Sequence, residues 1–328
     1  MNPVRNSKNF KADPVRKKIS NGVNKKRLII IDSNSIIHRA YHALPPLTTK
    51  KGELVNAIYG FLLVFFKAIR EFQPDFIAAT FDFPAPTFRH KKYKEYKITR
   101  PPAPEELYQQ IPKVKEVLEA FNVPIFEKEG FEADDLIGTI AHLAPKRQVI
   151  PEIETIILTG DLDTLQLVDW HTKVYALSRR VKEAVLYDRG KVQQRYGIPP
   201  KQLTDFKALK GDPSDNIPGV SGIGEKTAVE LIKEFGSLEN LYQNLAKLKP
   251  RLKESLPFQK EQAFFSKELA EIKTNVPIDF NLKKCQWKEY DKEKITKILN
   301  NLEFQSLIKR LPESKWEKEK IGKKLTLW

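Results

Sequence analysis

Nine acidic residues stand in five short, well-separated clusters, each where a strand or helix should end or begin. They are Asp32, Asp82, the group Glu132/Asp134/Asp135, the pair Asp161/Asp163 and the pair Asp212/Asp215. Carboxylates brought together repel, and their pKa values climb unless cations intervene. A hard divalent ion such as Mg2+ removes the conflict, because it takes oxygen ligands and keeps several waters. Two such ions about 3.5–4 Å apart can clamp the attacking and leaving oxygens of a phosphodiester and generate hydroxide near neutral pH. Glu132 and Asp135 are three apart, as are Asp212 and Asp215, so each pair shares a helix face if its segment is helical. A lone Asp after a strand is most often a turn or N-cap residue, and acids in a first helical turn serve the dipole. Three strand-end acids together with an E-A-D-D group go beyond those roles and point to a metal site.

The chain as a whole is basic. Its 328 residues carry 57 Lys+Arg against 42 Asp+Glu, a formal net charge of +15. That excess implies an acidic partner, most simply nucleic acid, although a high lysine content also serves solubility. Phe88–Arg100 (FRHKKYKEYKITR) interleaves lysines and arginines with two tyrosines directly after Asp82. Its cations suit phosphates and its tyrosines could stack on unpaired bases. Gly219–Thr227 (GVSGIGEKT) fails the P-loop pattern by one residue, because Glu225 separates Gly224 from Lys226, and GDPSDNIP before it is no strand. It reads as a glycine turn into a helix over Glu225–Phe235. Such a turn offers backbone N–H groups and a helix N-terminus to a phosphate without reading bases.

Buried strands must position the acids. Arg27–Ile31 (RLIII), Phe76–Phe81 (FIAATF) and Thr155–Thr159 (TIILT) are short continuous apolar runs, the pattern of parallel strands covered on both faces. Asp32, Asp82 and Asp161 follow them, and open sheets place their ligands outside the carboxyl ends of strands. Helices are predicted over Val55–Arg70, over 105–121 with a possible irregularity at Pro112, and over Glu132–Leu143. The expected fold is α/β, a mainly parallel central sheet with helices on both faces. The expected division is a basic disordered arm, 1–26, a catalytic domain, 27–195, a smaller helical domain, 196–311, and a polar flexible tail, 312–328. The five histidines and the single cysteine, Cys285, form no zinc spacing and allow no internal disulfide. No apolar run approaches the roughly 18 residues of a membrane span, and the N-terminus lacks a secretory signal. A cytoplasmic protein without a membrane partner is expected.

IIDSNSIIHRAYHALPPLTTKKGE, NAIYGF, FDFPAPTFRHKKYKEYKITRPPAPEEL, GFEADDLIGTIA, LTGDLDTLQLV and LKGDPSDNIPGVSGIGEKTA occur in that order. Together they resemble the 5′ nuclease domain of bacterial DNA polymerase I, within the flap endonuclease superfamily. The resemblance runs over about 27–311. It implies a PIN-like 5′ nuclease fold with a helical arch near 84–104, and a C-terminal helical domain with a helix–three-turn–helix (helix-hairpin-helix) DNA-binding element. The activity it implies is hydrolysis of DNA phosphodiesters near 5′ ends or 5′ flaps, as a 5′–3′ exonuclease and flap endonuclease in primer removal and repair. The implied partner is branched or nicked double-stranded DNA, bound by a monomer.

The same resemblance implies one Mg2+ site from Asp32, Asp82, Glu132, Asp134 and Asp135, and a second from Asp161, Asp163, Asp212 and Asp215, with Mn2+ as a possible substitute. Some of these ligands, Asp163, Asp212 and Asp215 first among them, would act through water. Lys97 and Arg100 match basic positions at the foot of the arch that steer the scissile phosphate and stabilise its charge, and Arg89 matches an assisting phosphate contact. Gly219, Gly222, Gly224, Lys226 and Thr227 fall in the element that grips the duplex and can hold K+ on backbone carbonyls. Leu162 departs from a basic residue common between Asp161 and Asp163. The chain carries no polymerase portion after 311, which fits either a stand-alone nuclease or a fragment. The final KKLTLW resembles short peptides that dock into sliding clamps, but Lys324 replaces the usual glutamine. Two other readings stand beside catalysis on DNA: a non-catalytic DNA-structure-binding paralogue, and a nuclease acting chiefly on RNA primers.

Overall fold

A computed structural model describes residues 25–145, 153–178, 184–313 and 317. Most of the N-terminal arm and most of the tail, with its clamp-like terminus, therefore lie outside the described residues. In chain order the elements are β1 (Lys26–Asp32), α1 (Ser33–Ala43), α2 (Asn56–Phe72), β2 (Phe76–Thr80), α3 (Phe88–Lys92), α4 (Glu105–Tyr108) and α5 (Ile111–Ala120). There follow β3 (Ile125–Phe126), α6 (Ala133–Leu143), β4 (Ile153–Thr159), β5 (Thr172–Leu177) and β6 (Ala184–Tyr187). The rest is helical: α7 (Arg189–Tyr196), α8 (Leu203–Lys210), α9 (Glu225–Phe235), α10 (Leu238–Gln243), α11 (Pro250–Ser255), α12 (Lys260–Ala270), α13 (Lys292–Asn301) and α14 (Gln305–Ile308).

The six strands lie in the order β3-β2-β1-β4-β5-β6, all parallel except the β5–β6 pair. Side chains alternate across a strand. Ile29 and Ile31 of β1 therefore face one core and Leu28 and Ile30 the other. The first core holds α1, α2 and α5 and an aromatic group in which Phe65 and Phe121 meet each other edge to face and both approach Trp287. The second holds α6 and the helices from α7 to α12.

The three strands expected from sequence are the inner β1, β2 and β4. The additional strands escape the apolar-run signal for physical reasons: β3 is two residues long, β5 mixes polar with apolar residues, and β6 is a four-residue edge strand. The helix expected over 105–121 is two helices, and Pro112 stands in the first turn of the second, where its missing N–H needs no partner. The last part of the helical region packs against the sheet. Trp287, Tyr290, Ile295 and Leu299 pack into the first core, and the Trp287 N–H donates to the Asp75 carbonyl at 2.8 Å. Among the described residues no helix is long and apolar enough to cross a membrane.

Candidate metal centre

Because β1, β2 and β4 are parallel neighbours, their carboxyl ends meet at one edge. Asp32 closes β1 and caps α1, accepting from the Ser35 N–H at 3.2 Å. Asp82 follows β2 and accepts from the Ala133 N–H at 2.8 Å, which ties it to the start of α6. Glu132 is the N-cap of α6, with Asp134 and Asp135 in its first turn. Asp161 follows β4 and accepts from the Asp163 N–H at 2.8 Å. A cleft of about 490 Å³ opens between them, lined by Asp32, Asp82, Glu132, Asp134 and Asp161 together with Lys97 and Arg100.

The crowding has the electrostatic consequence expected of like charges. Burial first, and then the Asp161 and Asp82 carboxylates, push the Asp32 carboxyl up to about 7. Burial, Asp161 and Asp32 push Asp134 well above the usual carboxylate range. Asp163 rises to about 6, again through burial and Asp161. Carboxyls crowded in this way bind protons more tightly than free ones unless a cation takes the proton's place. The donor set is all oxygen, which suits a hard divalent ion.

A second group adjoins the first. Carboxylate oxygens of Asp163, Asp212 and Asp215 lie within 4.8 Å of one another. Asp212 and Asp215 are not on a helix: residues 212–217 form a tight turn, with the Asp215 N–H donating to the Asp212 carbonyl at 3.2 Å. The turn brings the pair together where a helix face was expected to.

Cations of the chain engage these acids. Lys97 Nζ reaches Glu132 Oε1 at 2.7 Å, and Arg100 pairs with Asp215. Lys207 of α8 bridges Asp163 and Asp212, the latter at 2.6 Å. Against the upward push of burial, Lys207 and Ser214 hold the Asp212 carboxyl down at about 2. Lys97 has a φ of +58°, unusual for a side chain of its size. That backbone is fixed by its N–H donating to the Asp215 carbonyl and its own carbonyl accepting from Arg100. Strain of this kind, about 1–3 kcal/mol, persists only where surrounding structure enforces it.

Two expected site residues are placed elsewhere. Arg89 is buried, not presented to a phosphate. Its guanidinium donates to both oxygens of Asp135, at 2.7 and 2.9 Å, and to the Leu269 and Glu271 carbonyls, at 2.9 and 2.7 Å. Asp135 is consumed by that fork and by the Glu132 and Lys273 N–H groups, so it does not line the cleft. Its role here is to seat Glu132. The arch segment is the five-residue α3 followed by turns down to Arg100. Tyr96, expected to stack on bases, is 3% exposed, with its hydroxyl 3.1 Å from Glu132 and 3.2 Å from Asp215. Tyr93 packs edge to face on Phe265.

Sequence reasoning missed Lys207, whose partners converge only in three dimensions. It also missed the α1 face. Asn34, Ser35, His38, Arg39 and His42 line the cleft, and the last four recur at helical spacing after Asp32, a signal that was present. Arg39 donates to the Gly160 and Ser178 carbonyls, both at 2.7 Å, and so braces the end of β4 beside Asp161.

The glycine turn links α8 to α9. Gly219 has a φ of +65°, and a Cβ there would lie 2.3 Å from the Gly211 nitrogen, so two backbones touch at the base of the loop. Gly222 and Gly224 are exposed beyond it, Gly224 caps α9, and Lys226 and Thr227 lie in the first turn of α9.

The chain is similar to known proteins in sequence and in fold. DNA polymerase I of Caldicellulosiruptor bescii is 46% identical over 287 residues, and that of Bacillus subtilis 39% over 296. These matches cover 87% and 90% of the chain, which spans about 33% of the length of each relative. A bacteriophage T5 flap endonuclease solved with DNA and metal ions has the same fold, with a TM-score of 0.64 at 19% identity over 85% of this chain and 100% of that one. So does the catalytic core of Rad2 solved with a DNA substrate, at 0.52 and 18%, over 85% and 88%. The family model described as "5′-3′ exonuclease, N-terminal resolvase-like domain" matches residues 27–197, which carry the sheet and the cleft. The model described as "5′-3′ exonuclease, C-terminal SAM fold" matches 198–293, which carry the glycine turn. With both halves present in order, the chain belongs to the 5′–3′ exonuclease family.

Proposed function

We propose that this chain is a divalent-metal-dependent nuclease, a 5′–3′ exonuclease and flap endonuclease that hydrolyses DNA phosphodiesters near 5′ ends, in primer removal and repair. The observation that carries the reading is the meeting of Asp32, Asp82, Glu132, Asp134 and Asp161 in one cleft, with Asp163, Asp212 and Asp215 beside it. The first group would hold one Mg2+ and the second, with Asp161, another; Mn2+ offers similar chemistry. When bound, such ions supply a hydroxide near neutral pH and charge stabilisation at the attacked phosphate.

The remaining chemistry is the chain's own. Lys97 and Arg100 stand at the mouth of the cleft on carboxylates that metal would claim. Released from Glu132 and Asp215, they are free to hold the non-bridging oxygens of the scissile phosphate as charge develops there. Lys207 is released from Asp163 and Asp212 in the same way. The fixed backbone at Lys97 keeps its ammonium aimed into the cleft before substrate arrives.

The glycine turn is the duplex grip, a helix–three-turn–helix that can also hold K+ on its carbonyls. Gly224 supports this. Its φ of −89° suits any residue and a Cβ there would meet nothing within 4 Å, so nothing within the chain demands glycine. An approaching phosphate would, because it needs close access to the N–H groups of α9. The protein acts as a monomer on branched or nicked DNA, in the cytoplasm.

The test is cleavage of a 5′-flap duplex in Mg2+, with and without EDTA, beside a matched substrate whose 5′ segment is RNA. Metal-dependent release of the DNA flap supports the reading. Binding without cleavage would favour a DNA-structure-binding paralogue, and cleavage confined to the RNA strand a primer-specific nuclease.

A further inference from the structure

Phe258 is 92% exposed, the most exposed of the large apolar side chains among the described residues. It stands at the tip of a 3-10 turn, Pro257–Gln259, between α11 and α12. The tip is rigidly seated. Leu256 before it is fully buried in the second core. Gln259 after it bonds the exposed end of the glycine turn twice: its Oε1 accepts from the Ser221 N–H at 2.7 Å, and its Nε2 donates to the Ser221 carbonyl at 3.4 Å. A neighbouring bond, from Gln262 Nε2 to the Gly219 carbonyl at 2.7 Å, fixes α12 to the base of the same loop. Phe258 is therefore held at a set place next to Ser221, at the exposed end of the glycine turn.

The chain around the tip carries a net positive charge on its exposed side. Lys249, Arg251 and Lys253 precede it and Lys260 follows, against Glu254 and Glu261, and all six are exposed. A bare aromatic ring amid cations is poorly matched to an apolar protein partner. It is well matched to a duplex, whose phosphates meet the cations while the sugar and base edges of the minor groove accept an apolar side chain. The neighbouring turn offers N–H groups to one phosphate strand, so a ring fixed next to it would face the adjoining groove.

We infer that Phe258 is a duplex-contacting residue, set into the minor groove beside the strand gripped by the glycine turn. The inference rests on the reading of that turn as a DNA grip. Phe258 acts on duplex affinity and position, not on the chemistry at the carboxylates.

The experiment is fluorescence anisotropy with a labelled blunt duplex and the matching single strand, over a salt series, for the unaltered protein, Phe258→Ala, Phe258→Trp and Lys226→Ala. Phe258→Ala should weaken duplex binding roughly tenfold, the loss expected when burial of an aromatic side chain is removed. Its salt slope should stay that of the unaltered protein, since no charge is lost, whereas Lys226→Ala should lower the slope by about 1. Phe258→Trp should bind as the unaltered protein does. Unchanged duplex affinity in Phe258→Ala would overturn the inference while leaving the grip intact. So would an equal loss on single strands, which would make the ring a base-stacking contact. Failure of the unaltered protein to bind any duplex would remove both the grip and the inference built on it.

Discussion

Replacing Arg89 by alanine separates two roles that the sequence alone confounds. On the sequence it is one cation in a basic run; in the structure its side chain is 3% exposed and that of Asp135 is 0%. Its loss removes two bonds to Asp135, a 3.3 Å contact to Glu132, and the donors to the Leu269 and Glu271 carbonyls. Asp135 would keep the Glu132 and Lys273 N–H groups but lose its counter-charge in the interior. Removing one partner of a buried pair costs about 3–5 kcal/mol, which for a chain of this size lowers Tm by on the order of 10 °C. Arg89→Lys keeps the charge but not the fork, so it should fall between alanine and the unaltered protein. Thermal unfolding by circular dichroism, paired with flap-DNA binding at a temperature where both proteins are folded, reads the two roles independently. The result that refutes the reasoning is an unaltered Tm with greatly weakened DNA binding. That would make Arg89 a phosphate ligand and the buried fork dispensable.

Three further outcomes follow from the same geometry. Lys97→Ala should lower single-turnover cleavage by roughly 10²–10³ while changing affinity little, the pattern of a group that stabilises developing charge; a change in binding alone would reduce Lys97 to a steering charge. Gly224→Ala should leave unfolding within about 0.5 kcal/mol, because its φ is ordinary and its surroundings open, yet weaken duplex binding in anisotropy titrations; equal affinity would show that no phosphate approaches there. The pH dependence has a definite sign. Burial first raises Asp32 from 3.8 to about 7 in the folded chain, so its contribution to stability is present at low pH and is lost as pH rises through that window. A divalent ion competes with that proton, so the Tm gain from Mg2+ should be larger at about pH 8 than at about pH 6; a gain independent of pH would contradict the assignment of Asp32 as a ligand.

The inner strands and their terminal acids were legible because a parallel strand covered on both faces is written as an unbroken apolar run, and Asp32, Asp82 and Asp161 follow such runs directly. The glycine turn was legible because a chain reversal into a helix needs glycine, and Gly219 touches the Gly211 backbone. What stayed hidden was pairing. Nothing in FRHKKYKEYKITR distinguishes Arg89, which is folded inward onto Asp135, from Lys97 and Arg100, which face the cleft. Nor does the sequence distinguish buried Tyr96 from a ring offered to bases. Those differences are decided by where α12 and the 212–217 turn pack, and both come from more than a hundred residues further along. Lys207 was hidden for the same reason. The α1 face was readable from its spacing after Asp32, but it held no acid to draw attention.

The central claim is that the gathered carboxylates are a catalytic metal centre. It is tested most directly by Asp134→Ala in single-turnover cleavage of a 5′-flap duplex with Mg2+, with binding of the same DNA measured alongside. Cleavage should be nearly abolished and binding largely retained. Cleavage at the unaltered rate under the same conditions would contradict the claim.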